Sequence, residues 1–223
     1  ALNGLNGEQL IDAGIFRTED QPQSIPSLLV AVPSARYASY GIRGLGSSSY
    51  NDGLDGSVGV FLDGVYLGRQ GMSLVDLVDI ERVEVLRGPQ GTLYGKNTTA
   101  GAINISSRAP TFEPQGNGEV SVGSDGLRQY RGTVSGALID GVLAGRLTGY
   151  DVERDGLIEN TYDGSHLGDQ NRQGLRGQLL WTPSETFSAR LIGEYGWQDE
   201  QGNVFAASNY SQTSIDRAAF VGY

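Results

Sequence analysis

The sequence predicts a small α+β domain with a mixed sheet and short helices, followed by antiparallel β strands patterned like those of a transmembrane β-barrel. Three observations predict it. Glycine makes up 34 of the 223 residues, about twice the average share, without the every-third-residue register of collagen. Ala109 to Gly118 carries two prolines and two glycines and marks a domain boundary. Beyond it, five consecutive segments alternate apolar and polar residues with a period of two. We therefore divide the chain into residues 1–110 and 111–223.

The first part mixes signals. Gly7 to Ala13 reads as a short helix. Thr18-Glu19-Asp20 resembles a helix start, with a hydroxyl cap and first-turn acids, and Pro22 and Pro26 keep it short. Leu28–Val32, Tyr37–Ile42, Val58–Leu62, Ile80–Leu86 and Ala102–Ile105 are strand candidates. Asp63-Gly64 has hairpin-turn chemistry between Val60-Phe61-Leu62 and Val65-Tyr66-Leu67. Ser73 to Val78 is expected to form one helical turn or two.

In the second part, Val120 and Val122 share one face. Tyr130, Val134 and Leu138 oppose Arg131, Thr133 and Ser135. Leu143, Gly145 and Leu147 oppose Arg146 and Thr148. Leu175, Leu179 and Trp181 oppose Arg172, Gly174, Arg176 and Gln178. Phe187, Ala189, Leu191, Tyr195 and Trp197 oppose Ser188, Arg190 and Glu194. This pattern suits outer-membrane barrel strands or a soluble β-sandwich. The connections at 139–141 and 182–185 are short, and those at 155–170 and 198–223 are long and polar. Barrels alternate short periplasmic turns with longer outer loops in this way. Tyr130, Trp181, Tyr195 and Trp197 stand near strand ends, where interfacial aromatic girdles lie.

Composition excludes several functions. The net charge of −10 argues against nucleic acid, whose phosphates need a basic surface. The chain has no cysteine and a single histidine, His166, so neither a thiolate nor a multi-histidine metal site is expected. No run approaches the roughly 20 apolar residues of a membrane helix, whereas barrel strands need only about 9–11. Gly95-Lys96-Asn97 fails as a phosphate loop, because Gln90 stands where glycine is required and Asn97 where Ser or Thr is. Gly41 to Gly46 has the wrong spacing for a dinucleotide fingerprint. Asn51 to Gly56 lacks the later glutamate of a calcium loop. No serine sits in a nucleophile elbow, and no enzyme activity, cofactor or metal is expected.

Val83 to Ser106 is the most informative stretch. A strand stops at Arg87-Gly88-Pro89, a segment punctuated by Gly91, Gly95 and Gly101 follows, and a second apolar run closes it. Arg43 and Arg87 each end a strand run and precede a glycine. Such a guanidinium is suited to a neighbouring carboxylate or lies as a surface group over apolar neighbours.

Ile42-Arg43-Gly44, Val60 to Tyr66, Ile80 to Pro89, Leu93-Tyr94-Gly95 and Gly101 to Ile105 together resemble the N-terminal part of a TonB-dependent outer-membrane receptor, in the family's order and spacing across roughly residues 7–110. The resemblance implies a plug domain inside a large transmembrane barrel, of which residues 111–223 would supply the first five or so strands. The family needs about 22 strands to close a barrel around a plug, so a longer parent chain is expected. Arg43, Gly44, Asp63, Gly64, Glu84, Arg87, Gly88, Pro89, Gly95, Gly101 and Asn104 match the plug signature. Arg43 and Arg87 are expected to latch the plug to barrel-wall carboxylates. Ser47, Ser48, Tyr50, Asn51 and Arg69 are candidates for the substrate-facing apex. The TonB-contacting box is not visible in this sequence, and Pro22 stands where the family favours a helix former.

The function so implied is active uptake of a scarce nutrient, ferric siderophore first, across the outer membrane of a Gram-negative bacterium. The expected partners are TonB with its inner-membrane energising complex, outer-membrane lipid and an iron–siderophore or other nutrient. Uptake of oligosaccharide, cobalamin or haem, and a passive ligand-binding or signalling receptor, are the alternatives.

Overall fold

Glycine placement and strand alternation produce two five-stranded sheets that meet along a polar seam. The computed structural model describes residues 2–34, 37–46, 56–160 and 163–201.

The N-terminal half is a mixed sheet with a small satellite. β1 (Leu2–Asn6), β5 (Val58–Leu62), β6 (Val65–Tyr66), β7 (Ile80–Arg87) and β8 (Gly101–Ser107) form a sheet in the order β1-β7-β8-β5-β6. The β5–β8 pair is parallel and the others antiparallel. β2 (Leu28–Ser34), β3 (Tyr37–Ile42) and β4 (Leu45–Gly46) form the satellite sheet. α1 (Gly7–Asp12) starts in a capping box: Asn6 Oδ1 accepts from the Gln9 N–H, and Gln9 Oε1 accepts from the Asn6 N–H, which satisfies two otherwise unpaired amide donors. Between the sheets lie Leu10, Ile15, Ile25, Leu28, Ile42, Val83, Val85, Ile103 and Ile105, all buried. β7 gives this core Ile80, Val83 and Val85 and β8 gives it Ile103 and Ile105, while Glu81 and Arg82 of β7 stay exposed.

Two local features follow from residue chemistry. Asp63 and Gly64 have φ of 49° and 82°, the left-handed pair that a two-residue hairpin between twisted strands demands. At Gly101, an added Cβ would lie 2.3 Å from the Leu86 carbonyl oxygen and 2.6 Å from Ile42 Cδ1, so only glycine lets β8 approach β7 this closely.

One expectation is corrected, and two elements are new. Ser73–Val78 is not helical. A 3₁₀ turn covers Gln70–Ser73 instead, and the chain then runs extended beside residues 16–18: Thr18 N–H donates to Val75 O and Leu77 N–H to Phe16 O. Those cross-chain bonds replace the intrahelical ones that the short apolar pattern suggested. An unforeseen strand, β1, precedes α1 and pairs with β7 from Leu2↔Leu86 to Asn6↔Arg82. The segment after Pro89 contains a single turn of helix, α2 (Gly91–Tyr94).

The C-terminal half is a five-stranded antiparallel sheet, order β15-β14-β11-β10-β9. Its strands are β9 (Gln115–Val122), β10 (Arg128–Ile139), β11 (Leu143–Arg154), β14 (Gln170–Ser184) and β15 (Phe187–Gln198). The short pair β12 (Ile158–Glu159) and β13 (His166–Leu167) lies in the long β11–β14 connection. Alternation sorts the faces as expected. Tyr130, Val134, Leu138, Leu147, Leu175, Leu179, Leu191, Tyr195 and Trp197 are exposed on the outer face. Gln129, Thr133, Ser135, Arg146, Thr148, Arg172, Arg176 and Gln178 are buried on the other, which packs against the N-terminal half. Among the described residues no helix is long and apolar enough to cross a membrane, which says nothing of strands.

Gly101→Ala is expected to cost about 1–3 kcal/mol by overpacking. Hydrogen exchange on the intact receptor checks this: the Ile103 and Ile105 amides should lose about 5- to 140-fold in protection, since 1.4 kcal/mol is about a factor of ten.

Candidate functional site

Several charged residues from both halves converge on the seam between them. Asp79 ends the extended segment before β7 in a left-handed conformation, φ 57°, which turns its carboxylate out of the N-terminal sheet. Arg146 of β11 meets it with two parallel bonds, Nε to Oδ2 at 2.6 Å and Nη2 to Oδ1 at 2.5 Å. Thr148 Oγ1 donates to the same Oδ2 at 2.8 Å. The Arg146 and Asp79 side chains are 5% and 3% exposed. A buried pair of this kind survives only because the fork geometry and the extra hydroxyl satisfy the carboxylate.

Three residues earlier, Asp76 gathers a second cluster. Arg172 Nε of β14 lies 2.9 Å from its Oδ1, and Tyr150 of β11 donates its hydroxyl to Oδ2 at 3.0 Å. The Tyr150 ring lies over Gly174 of β14, where an added Cβ would come within 2.4 Å of it. Arg17, also in the N-terminal half, approaches Asp76 at 3.7 Å and pairs with Glu19 at 2.7 Å. Burial opposes the charge on Arg17, but the carboxylates of Glu19, Asp76 and Glu200 outweigh it, so its pKa is raised. Arg172 also holds Glu200, just past β15, at 2.9 Å.

Between and beyond these clusters, further C-terminal arginines reach across. Arg176 Nη1 donates to the Val78 carbonyl and Nε to Glu194. Arg190 Nη2 donates to Ser107 O and Oγ and to Arg108 O, at the end of β8. Arg131 stacks 3.9 Å over the Phe16 ring, a cation–π contact. Deeper in the N-terminal half, Tyr40 donates its hydroxyl to the Ser73 carbonyl at 2.8 Å, and Thr18 Oγ1 shares that acceptor. Burial raises the Tyr40 pKa and keeps it neutral.

The residues singled out from sequence distribute differently. Asp63 belongs to the seam: it accepts from Ser107 N–H and Oγ at 2.9 and 2.7 Å and lies 3.7 Å from Arg190. Glu84 and Asn104 pair with one another across β7 and β8 at 3.0 Å, tying the N-terminal sheet internally. Arg87 Nη2 donates to the Pro26 carbonyl at 2.8 Å, a bond within the N-terminal half. Arg43 is exposed in the turn it forms with Gly44 between β3 and β4. Gly64 completes the Asp63 turn, Gly88 N–H donates to Ala100 O, Pro89 is exposed, and Gly95 closes α2. Arg69 is exposed before the Gln70–Ser73 turn. Ser47, Ser48, Tyr50 and Asn51 lie outside the described residues.

Asp76 and Asp79 were not legible as site residues, nor were Arg146, Arg172, Arg176 and Arg190. The alternation had put these arginines on the polar face, and that was the available signal. In the described seam the polarity is the reverse of the expected latch: arginines of the C-terminal sheet meet carboxylates of the N-terminal half.

Known proteins are similar to this chain in sequence and fold. Residues 2–102 match the TonB-dependent Receptor Plug Domain. The pesticin receptor of Yersinia pestis is 33% identical over 93% of this chain and 32% of its own length. The ferrichrome outer membrane transporter/phage receptor of Escherichia coli K12 is 28% identical over 65% of this chain and 20% of its own. The crystal structure of the ferric yersiniabactin uptake receptor FyuA from Yersinia pestis superposes with a TM-score of 0.82 at 28% identity, over 88% of this chain and 31% of that one. The chain thus spans about a third or less of the length of the curated relatives it matches. Residues 2–102 are thus a TonB-dependent receptor plug domain, and the chain as a whole resembles part of a TonB-dependent receptor.

Proposed function

We propose that the parent protein is an outer-membrane receptor that takes up a ferric siderophore by TonB-dependent transport. In this reading residues 1–110 are the plug and residues 111–223 the first strands of the barrel wall. The observation that carries it is the chemistry of the seam. The plug rests on the wall through Asp63, Asp76 and Asp79 facing Arg190, Arg172 and Arg146, not through a continuous apolar core. A buried apolar interface would make the halves one inseparable body. Ion pairs hold firmly while matched, yet hydrate readily once the plug moves, because water restores to each ion what burial removed. That is the behaviour required of a plug pulled by TonB and then reseated. The names of the relatives, a ferric yersiniabactin uptake receptor and a ferrichrome transporter among them, support an iron–siderophore cargo. Arg43 and Arg87 remain candidates to meet wall carboxylates on strands beyond those described, and Ser47, Ser48, Tyr50, Asn51 and Arg69 to face the substrate.

Deleting the complete gene should abolish energised uptake of the cognate ferric siderophore, and complementation should restore it. Unchanged uptake in the deletion strain across a siderophore panel would remove the iron assignment. Binding without energised accumulation would favour a passive or signalling receptor.

Asp79→Asn preserves shape but leaves Arg146 buried without its counter-charge. The seating of the plug should weaken by about 3–5 kcal/mol. Limited proteolysis of the intact receptor should then cut the plug faster, and the strain should become more sensitive to large antibiotics normally kept out. Unaltered proteolysis and permeability would show that this pair does not hold the plug.

A further inference from the structure

The outer face of the wall carries a trough that the uptake reading leaves unused. It crosses β10, β11, β14 and β15, with a volume of about 660 Å³. Its floor is glycine: Gly136 and Gly145 at one level, Gly177 and Gly193 at the next. Val134, Leu147, Leu179 and Leu191 form its sides, 40–69% exposed. The Leu138 side chain folds over Gly145 at the lower end, where an added Cβ would meet it at 3.1 Å. Three strand spacings of about 4.8 Å make the trough about 14 Å long. The polar residues that also border it, Ser135, Arg146 and Gln178, belong to the opposite, plug-facing side of the sheet.

We propose that this trough is a binding site for one acyl chain of a glycerophospholipid with an ammonium headgroup, in the periplasmic leaflet. The proposal rests on the outer-membrane barrel reading above. In hydrocarbon an unfilled groove forfeits dispersion contacts along its whole lining, and a flexible unbranched chain recovers them. Position selects the leaflet. The lower end lies beside the short turn that joins β10 to β11, on the side where barrels keep their periplasmic turns. Charge selects the headgroup. Among the described residues at that end, the exposed arginines Arg108 and Arg190 turn to the plug side, Arg108 bonding Ile80 O and Arg190 bonding Ser107, which leaves the exposed acids of the strand connections, Glu113, Asp140 and Glu185, to repel an anionic headgroup and suit an ammonium.

Glycine geometry supplies the test. An added Cβ at Gly177, Gly193 or Gly132 meets nothing within 4 Å, so each position has open space at the backbone for a side chain on the outer face. Gly177 and Gly193 floor the trough, whereas Gly132 lies on the same face outside it. The full-length receptor is purified from outer membranes in mild detergent, loaded with phosphatidylethanolamine or phosphatidylglycerol, and weighed by native mass spectrometry. Wild type and Gly132→Leu should retain a phosphatidylethanolamine adduct that Gly177→Leu/Gly193→Leu loses, with phosphatidylglycerol retained less. Equal retention by all three proteins, no adduct on wild type, or preference for phosphatidylglycerol would overturn the proposal. So would a wild-type dimer that the double substitution disperses, since the occupant would then be a second copy. A phosphatidylethanolamine carrying a photoreactive acyl chain gives a readout without mutation: labelling should concentrate on Val134–Leu147 and Leu175–Gly193, and labelling spread evenly over the outer face would contradict it. A receptor that does not fractionate with the outer membrane would instead bring down the barrel reading beneath it.

Discussion

The fork between Arg146 and Asp79 is the constraint on which the arrangement turns. Two buried ions are tolerable only if each finds the other in good geometry. The left-handed backbone at Asp79 turns its carboxylate outward, and the alternation of β11 presents Arg146 and Thr148 on one face. The register of the wall against the plug follows from meeting both conditions together. A slip of one residue along β11 would bring Leu147 to the carboxylate instead, because side chains alternate faces.

Asp76, Asp79 and the carbonyl of Val78 lie within four residues of chain, and three wall arginines on neighbouring strands answer them. Arginine suits this task better than lysine. Its planar fork spans two acceptors and stays charged when buried. Lysine would offer a point charge more costly to desolvate. The wall thus presents an arginine surface to the plug while its opposite face is leucine, tyrosine and tryptophan. The chain's net charge of −10 sums over all residues and conceals the arginines gathered on the inward face of the sheet.

Much of the fold was readable from the sequence. The period-two segments became long strands with the faces assigned correctly, since alternation is local and each residue declares its side. Asp63-Gly64 became a tight hairpin, as the left-handed demand of that turn predicts. The extended segment 73–78 was misread for a physical reason: its apolar spacing suits a helix, but its amides are satisfied by residues 16–18, remote in sequence. β1 escaped notice because Leu2-Asn3-Gly4-Leu5-Asn6 is too polar to signal a strand until β7 offers it an edge.

The candidate site divided along the same line. By itself the sequence determined what depends on neighbours in the chain: the signature from Ile80 to Ile105, the turn glycines and the polar face bearing Arg146, Arg172, Arg176 and Arg190. Only the tertiary structure decided which charges meet. Arg87 turns to the carbonyl of Pro26, Glu84 to Asn104, and Asp76 and Asp79 cross to the wall. Ion pairing depends on the distance and direction between groups brought together from 67 or more residues apart, and no local pattern encodes that.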